Sequence, residues 1–450
     1  MVSGASSVGC GARGVTGIVA AMRWLIPVMI WGALSAWWTP RGPLTTLEAI
    51  TTIAASFVVG ALAARSRWAF LTAPLLYAVT VELVRIRTTG PSVDLPHLSP
   101  FGAISLVTGR GVHGVLALLP MILGVWCGRG RRRITRGVPL VLLTALITAF
   151  AIPARTAPIA GGIAELTKVD GLPLMIRGAD PAKPVLLFVP GAPGSSERAA
   201  MRTALPGLER HFVVATMDRR AFPSPDVTVD DETADVLTVT AYLSRRFQQP
   251  KIYLLAYSGG SIPGALAAFR EPWRYAAYIG TGQAVDLLAS DRIFYADILS
   301  WARADGRAGV VEQLEEQGFP PYEKFWGYEP FLLHENAAYD QRATDLGLGA
   351  PEYSLLDKAH ALTAMVDTWD TLYPRLQDVD LRRDVPRLEV PAYFLQGGDE
   401  MRGLAELFDP WYRALRAPSK QLYVIPGAGH RAIFEEPGAA VSVLARISGQ

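Results

Sequence analysis

Residues 253–261 read Tyr-Leu-Leu-Ala-Tyr-Ser-Gly-Gly-Ser, and this stretch decides the fold. An apolar run with β character is followed at once by a turn of small residues, and a helical pattern begins at Ser261. Strand, tight turn and helix in this order predict a nucleophile elbow, which holds Ser258 in a strained conformation with its hydroxyl exposed above the sheet. Small neighbours are needed because strand and helix approach closely there, and Ala256, which replaces the first Gly of G-x-S-x-G, is still small.

The chain around the elbow alternates short β-like runs with helical ones from Leu172 onward, which is typical of a mainly parallel sheet covered by helices. The predicted strands are Leu172–Arg177, Pro184–Val189, Phe212–Met217, Ile252–Ala256, Tyr275–Gly280, Ala392–Gln396 and Gln421–Ile425. The predicted helices are Glu232–Phe247, Ser261–Arg270 and Leu404–Leu415. Between Gln283 and Arg387 the strand signal vanishes, so this insert is predicted to be a helical cap over the carboxyl ends of the strands, where open α/β sheets bind ligands.

A serine hydroxyl is a weak nucleophile and needs a base and an acid beside it. Of the six histidines, His430 lies in a loop of small residues just past the last predicted strand. The acid should follow the strand after the cap, where Asp399 is the preferred candidate and Glu400 the alternative. The resulting chain order is nucleophile, acid, base, and the acid would hold His430 in one tautomer.

Acyl transfer also needs N–H donors aimed at the developing oxyanion. The backbone N–H of Gly259, directly after the nucleophile, supplies one by geometry. The loop Pro190-Gly191-Ala192-Pro193-Gly194 follows an earlier strand, and it makes the Ala192 N–H the expected second donor.

The first third of the chain has a different character. Five apolar stretches lie there, each close to the lower limit of length for crossing a bilayer: Trp24–Trp38, Leu47–Ala64, Trp68–Val84, Val112–Cys127 and Val138–Ile152. A soluble helical bundle would show a polar face every 3.6 residues, and Val138–Ile152 has only two Thr as polar interruptions. Tryptophans near the ends of the runs also suit the headgroup region. The sequence therefore predicts an all-helical transmembrane region.

Charge is divided unevenly along the chain. Residues 1–153 contain thirteen Arg, no Lys and three acidic residues, so they carry +10 while the whole chain carries +2. Most of these arginines fall on one side of the five predicted crossings, which puts the amino terminus in the cytoplasm and the large domain outside. The basic residues sit between apolar runs rather than on one clustered face, so nucleic-acid binding is not expected.

Several other chemistries lack support. The two cysteines, Cys10 and Cys127, lie in the apolar front, so no disulfide framework holds the rest of the chain. Neither Cys-x-x-Cys, His-Glu-x-x-His nor a phosphate loop of the Gly-x-x-x-x-Gly-Lys type occurs. No metal or cofactor is predicted.

From about residue 170 onward the chain resembles the α/β-hydrolase superfamily, and within it the prolyl iminopeptidase-like serine hydrolases. The loop 190–194 is similar to the family's His-Gly-Gly-Pro-Gly, and 217–220, Met-Asp-Arg-Arg, is similar to the family's Asp-Gln-Arg-Gly. Further similar segments are Gly280-Thr281-Gly282-Gln283, Gly318-Phe319-Pro320-Pro321-Tyr322, and Ala428-Gly429-His430 with Glu436-Pro437. The chain departs from the family at Pro190 and Ala192, and at Ala221 and Pro223, where the family tends to have Gly.

The resemblance implies an α/β-hydrolase fold with a helical cap, acting through an acyl-enzyme. The expected organisation is a transmembrane region of about five helices (1–153), a linker (154–170), a core in two parts (171–282 and 388–450) and the cap (283–387). Removal of N-terminal residues from peptides is the first expectation, and cleavage of membrane-derived acyl esters is the second. A non-catalytic membrane sensor is the third. In the aminopeptidases of this family, cap carboxylates bind the substrate's free amino group, and Glu329, Glu335 and Asp340 are the candidates here. The expected partners are a small-molecule or short peptide substrate and the lipid bilayer.

Overall fold

The computed structural model describes residues 25–64, 68–86, 96–130, 133–191, 196–221, 224, 226–342 and 347–449. The contacts divide the chain into two compact units. One comprises residues 1–153 with 354–360, and the other comprises 154–353 with 361–450.

The first unit is helical. Its helices are α1 (Leu25–Trp38), α2 (Thr46–Ala63), α3 (Ala69–Arg85), α4 (Pro100–Leu106), α5 (Val112–Arg129) and α6 (Arg133–Ala151). A π turn over Val107–Gly111 joins α4 to α5, so one continuous helix runs from residue 100 to 129. That helix begins twelve residues before the predicted run Val112–Cys127, because Ser99 caps its start and Pro100 fits the first turn.

Helices α2 and α5 pack with their backbones nearly touching. A Cβ on Gly60 would lie 2.0 Å from the Met121 carbonyl oxygen, and a Cβ on Gly124 would lie 2.0 Å from that of Phe57. Glycines that bring two backbones together are typical of helix pairs in membranes, where close packing replaces the hydrophobic effect.

The surface of this unit is more apolar than that of a water-soluble bundle. Its interior holds alanines and hydroxyl-bearing side chains together with larger apolar ones such as Ile53 and Leu116, and the Tyr77 hydroxyl lies 2.7 Å from Ser35 Oγ and 3.2 Å from His113 Nε2. Its exterior carries large apolar residues, among them Ile26, Leu47, Leu62, Leu71 and Val141. Among the described residues, three helices are long and apolar enough to cross a membrane: Thr46–Ala63, Pro100–Arg129 and Arg133–Ala151. The number of crossings and the orientation stay predictions.

The second unit is built on one eight-stranded sheet. Its strands are β1 (Ile163–Val169), β2 (Leu172–Gly178), β3 (Val185–Val189), β4 (Val213–Met217), β5 (Ile252–Tyr257), β6 (Tyr275–Thr281), β7 (Ala392–Gly397) and β8 (Lys420–Ile425). Their order is β1-β2-β4-β3-β5-β6-β7-β8. The pairs β1–β2 and β2–β4 are antiparallel and the other pairs are parallel. All seven predicted strands are present, and the mainly parallel sheet is confirmed.

One strand lies outside the prediction. β1 occupies residues that the sequence analysis placed in a linker, and it pairs with β2 through a turn at Asp170 and Gly171, both with positive φ. Asp-Gly favours two-residue hairpin turns, so a signal was available. β1 was missed because it is an edge strand in which only Val169 is fully buried.

Helices cover the sheet and fill the insert between β6 and β7. The covering helices are α7 (Arg198–Ala204), α8 (Val229–Phe247), α9 (Ser261–Arg270), α15 (Arg402–Ala414), α16 (Ala432–Glu435) and α17 (Pro437–Ser448). The insert contains α10 (Leu287–Ala304), α11 (Ala308–Gln317), α12 (Phe325–Ala338), α13 (Leu355–Leu376) and α14 (Leu381–Asp384). Helix α8 begins three residues earlier than predicted, because Thr228 and Asp231 form a capping box at its start.

Candidate active site

Ser258 sits at the turn between β5 and α9 with a φ of 51°. A non-glycine residue in this region is strained, as a nucleophile elbow requires. The residues around it are small because the backbone is closely packed there: a Cβ on Gly260 would lie 2.0 Å from the Pro190 carbonyl oxygen. A Cβ on Gly264 would come within 2.6 Å of the Ala256 side chain, so Gly264 supplies the space that lets Ala stand at position 256.

His430 follows β8 and reaches the serine. Its Nε2 lies 2.9 Å from Ser258 Oγ, and the ring packs 5.4 Å from the Tyr257 ring. On the other side, a Cβ on Gly282 would lie 2.8 Å from His430 Cε1. Gly282 has a φ of 51°, so both its conformation and its missing side chain are used here.

The acid beside His430 is Glu400 and not Asp399. Glu400 Oε1 lies 2.9 Å from His430 Nδ1, and the Glu400 side chain is only 4% exposed. The preferred candidate, Asp399, has its main chain fixed by a hydrogen bond from its N–H to the Ala428 carbonyl, and the residue is exposed. The turn after β7 therefore directs Asp399 toward solvent and Glu400 toward His430, and the glutamate side chain is long enough to reach Nδ1.

The protonation of the array follows from these contacts. A carboxylate accepts hydrogen bonds, so Nδ1 carries the proton toward Glu400 and Nε2 is left to accept from the Ser258 hydroxyl. Burial by itself lowers the pKa of His430, but the charge and hydrogen bond of Glu400, with a further contribution from Glu335, raise the pKa above its usual value. Ser258, His430 and Glu400 thus form one continuous hydrogen-bonded chain.

One of the two expected oxyanion donors is described. Gly259 directly follows Ser258 in a short 3₁₀ turn, and its absent side chain would have lain 3.4 Å from the Gly191 carbonyl oxygen. Ala192, the other expected donor, lies outside the described residues.

The three cap carboxylates named from the sequence are placed differently. Glu329 is buried in α12, Asp340 is exposed, and Glu335 is the carboxylate that acts electrostatically on His430. Burial raises the pKa of Glu335 to about 7, and the proximity of His430 offsets part of that rise. In the described residues, no hydrogen-bond donor or cation lies within bonding distance of the Glu335 carboxylate.

A fourth cap carboxylate, Asp291, was not predicted from the sequence. Asp291 in α10 is 1% exposed and accepts hydrogen bonds from the Tyr373 hydroxyl, at 2.8 Å, and from Gln377. Burial raises its pKa to about 8, and Glu335 contributes to the rise. Nothing local to Asp291 marks it, because its partners are more than eighty residues away in the chain.

Gln283, at the end of the segment Gly280–Gln283, is hydrogen-bonded to the residue that begins the helix after the elbow. Its Nε2 donates to Ser261 Oγ at 2.9 Å, and its Oε1 accepts from the Tyr278 hydroxyl at 2.6 Å.

Within the described ranges, no three His, Cys, Asp or Glu side chains are grouped as ligands of a metal ion would be.

The fold and the matched region identify the class of protein: the chain belongs to the alpha/beta hydrolase family, whose model matches residues 186–443. Among curated proteins it is similar to the probable aminopeptidase YbaC of Bacillus subtilis (strain 168). The two are 24% identical over 291 residues, which cover 61% of this chain and 91% of that protein.

The chain is also similar to two solved structures. The proline iminopeptidase of Mycobacterium smegmatis is 16% identical with a TM-score of 0.46, covering 64% of this chain and 98% of that one. A membrane phospholipase A, described as a bacterial virulence factor, is 18% identical with a TM-score of 0.43, covering 75% of this chain and 97% of that one. The sheet topology and the family match confirm the expected α/β-hydrolase fold.

Proposed function

We propose that the protein is a membrane-anchored serine hydrolase that removes N-terminal residues from peptides through an acyl-enzyme. The observation that carries the proposal is the chain of hydrogen bonds from Ser258 Oγ through His430 to Glu400, each 2.9 Å long. The strained φ of Ser258 at the end of a parallel strand is a second support.

In the proposed reaction, His430 Nε2 takes the proton of the Ser258 hydroxyl as Oγ attacks the scissile carbonyl carbon. Glu400 stabilises the imidazolium that forms, and the Gly259 N–H stabilises the oxyanion. His430 then gives its proton to the leaving amine, and the C–N bond breaks. Water, deprotonated by the same histidine, hydrolyses the ester on Ser258 and releases the acyl product.

The position of Glu335 favours a substrate with a free amino group. An α-amino group lies one bond beyond the carbon that carries the scissile carbonyl, so a carboxylate close to His430 is placed to bind it. Glu335 is partly exposed, and its carboxylate has no hydrogen-bonded partner among the described residues, so it is free to pair with an ammonium ion. The similarity to a probable aminopeptidase supports the same substrate class.

Membrane anchoring is supported by the first unit. Three of its helices are long and apolar enough to cross a bilayer, and large apolar side chains face outward. The same feature favours the second candidate function, an esterase acting on acyl lipids, because such substrates are concentrated at a membrane.

The test is turnover by the full-length protein in detergent. The substrates are prolyl and alanyl anilides with a free amine, their amino-blocked versions, and short-chain aryl esters. Ser258→Ala should abolish all turnover. Glu335→Gln should weaken cleavage of the free-amine substrates by raising KM and leave the esters nearly unchanged. Asp340→Asn is the matched control, because it changes an exposed carboxylate of the same cap segment.

Three outcomes separate the alternatives. Loss of activity on blocking the amine supports the aminopeptidase, and cleavage of esters alone supports the esterase. Absence of turnover together with failure of Ser258 to react with a fluorophosphonate probe would leave a non-catalytic sensor.

A further inference from the structure

Gln341 joins the cap to both loops that carry the proposed acid and base. It follows α12, after a turn in which Asp340 has a φ of 51°. Its Oε1 accepts a hydrogen bond from the His430 backbone N–H at 2.7 Å, and its Nε2 donates to the Asp399 carbonyl oxygen at 2.9 Å. The same Nε2 also lies 3.1 Å from the Tyr339 carbonyl oxygen. One side-chain amide therefore contacts the backbone of the base itself and of the residue just before the acid.

The two loops follow different strands, β7 and β8, so their relative position decides whether the hydrogen bond between His430 and Glu400 forms. Main-chain hydrogen bonds from Gly398 N–H to the Ile425 carbonyl and from Asp399 N–H to the Ala428 carbonyl, both 2.9 Å, hold the loop bases together. Neither of these reaches His430. Gln341 contacts both the backbone of residue 430 and the turn that carries Glu400.

Gly429 gives independent support for this role. A Cβ at position 429 would lie 2.0 Å from Gln341 Oε1 and 2.7 Å from Gln341 Cδ. Gly429 does not have a positive φ, so its backbone would accept an alanine. The residue that excludes a side chain at position 429 is Gln341, and an alanine there can be accommodated only if the amide leaves its two partners.

We infer that Gln341 is a positioning residue: through the backbone of residues 399 and 430 it sets His430 against Glu400 and makes the cap part of the triad's support. The inference rests on the catalytic roles proposed above for Ser258, His430 and Glu400. It goes beyond them, because it assigns a function to a cap residue that touches neither substrate nor the reacting atoms.

The test compares four proteins: wild type, Gln341→Ala, Gly429→Ala and the double variant. Two rates are measured for each, kcat on the best substrate and the rate at which a fluorophosphonate probe labels Ser258. Both single variants should lose roughly tenfold to a hundredfold in both rates, the size of effect that a small misplacement of a catalytic group produces. The double variant should match Gln341→Ala within about twofold, because the alanine at position 429 then has no amide to displace.

A pH profile separates positioning from a general loss of structure. Glu400 raises the pKa of His430, so a looser contact should move the acid limb of the labelling rate to lower pH in Gln341→Ala. Gln317→Ala is the matched control: it removes another cap glutamine that bonds to a backbone carbonyl, that of Gly327, away from both loops. It should leave the rates and the acid limb unchanged. Should Gln341→Ala fold poorly in a thermal melt, Gly429→Ala supplies the same displacement with the glutamine retained.

Two results would overturn the inference. One is a Gln341→Ala protein with wild-type labelling and kcat; the other is a double variant whose loss is the product of the two single losses. A wild-type protein that is not labelled at all would instead refute the catalytic roles of Ser258 and His430, and the inference with them.

Discussion

The adjacent carboxylates Asp399 and Glu400 offer the sharpest test of the active site. Glu400→Gln keeps the size and shape of the side chain but removes its charge, next to a His430 Nδ1 that lies 2.9 Å away. Asp399→Asn makes the same chemical change one residue earlier, on an exposed residue whose hydrogen bonds to Ala428 and Gln341 are made by main-chain atoms. The two variants are therefore matched in chemistry and differ in geometry.

The expected loss for Glu400→Gln can be built from the contact. A hydrogen bond to a charged group contributes about 1.5–3 kcal/mol, and the Glu400 side chain is too well buried, at 4% exposed, for water to replace it. The amide of Gln can also donate to Nδ1, which places the proton on Nε2, the wrong nitrogen for accepting the Ser258 proton. A change of this kind in Ser-His-acid triads lowers kcat by about 10⁴, so we expect a loss of about 10³ to 10⁴. Asp399→Asn should stay within about twofold to threefold of wild type.

The assay is kcat/KM against pH, with the fluorophosphonate labelling rate as a substrate-independent readout. His430 must be neutral to act as base, so activity rises with pH through its pKa, which Glu400 and its neighbours hold above the usual value. Glu400→Gln removes the main raising influence, and the residual activity should therefore persist to lower pH than in wild type. A large loss in Asp399→Asn with near-normal Glu400→Gln would refute this reading of the site.

Three further predictions concern stability and topology. Burial raises the pKa of Glu335 to about 7, so ionisation of this carboxyl group destabilises the folded state as the pH rises above its unfolded pKa. Glu335→Gln should therefore raise the free energy of unfolding by about 1 to 3 kcal/mol at pH 8 and by little at pH 5. Equal shifts in melting temperature at both pH values would contradict this. Gly124→Ala should lower the melting temperature in detergent because its Cβ would lie 2.0 Å from the Phe57 carbonyl oxygen, whereas Gly114→Ala meets nothing closer than 3.8 Å; equal melts for the two would refute the close helix packing. A reporter active only outside the cytoplasm, fused after Gln450, should be active if five segments cross, and activity of a cytoplasmic reporter there would instead indicate an even number of crossings.

The sequence predicts those parts of the site in which local pattern and chemistry coincide. Ser258 is found because strand, small-residue turn and helix are consecutive, and His430 because it follows the last strand. The choice between Asp399 and Glu400 could not be made in this way, since it depends on a main-chain hydrogen bond to Ala428, about thirty residues away. Asp291 was missed for a similar reason: its hydrogen-bond partners, Tyr373 in α13 and Gln377 just past the end of that helix, lie more than eighty residues away in the chain.

The cap carboxylates also bear on how substrate binding and protonation are linked. Burial raises the pKa values of Glu335 and Asp291 to about 7 and about 8, and Glu335 adds to the rise at Asp291, so near neutral pH both carboxyl groups are partly protonated in the free protein. On the proposed function, an arriving ammonium ion favours the ionised form of Glu335, so binding releases a proton from the cap while the substrate must keep its own. Affinity should then rise with pH as Glu335 ionises and fall again once the substrate amine loses its charge. On the proposed function, binding of a cationic substrate should therefore be strongest near neutral pH, a behaviour that a neutral ester substrate would not share.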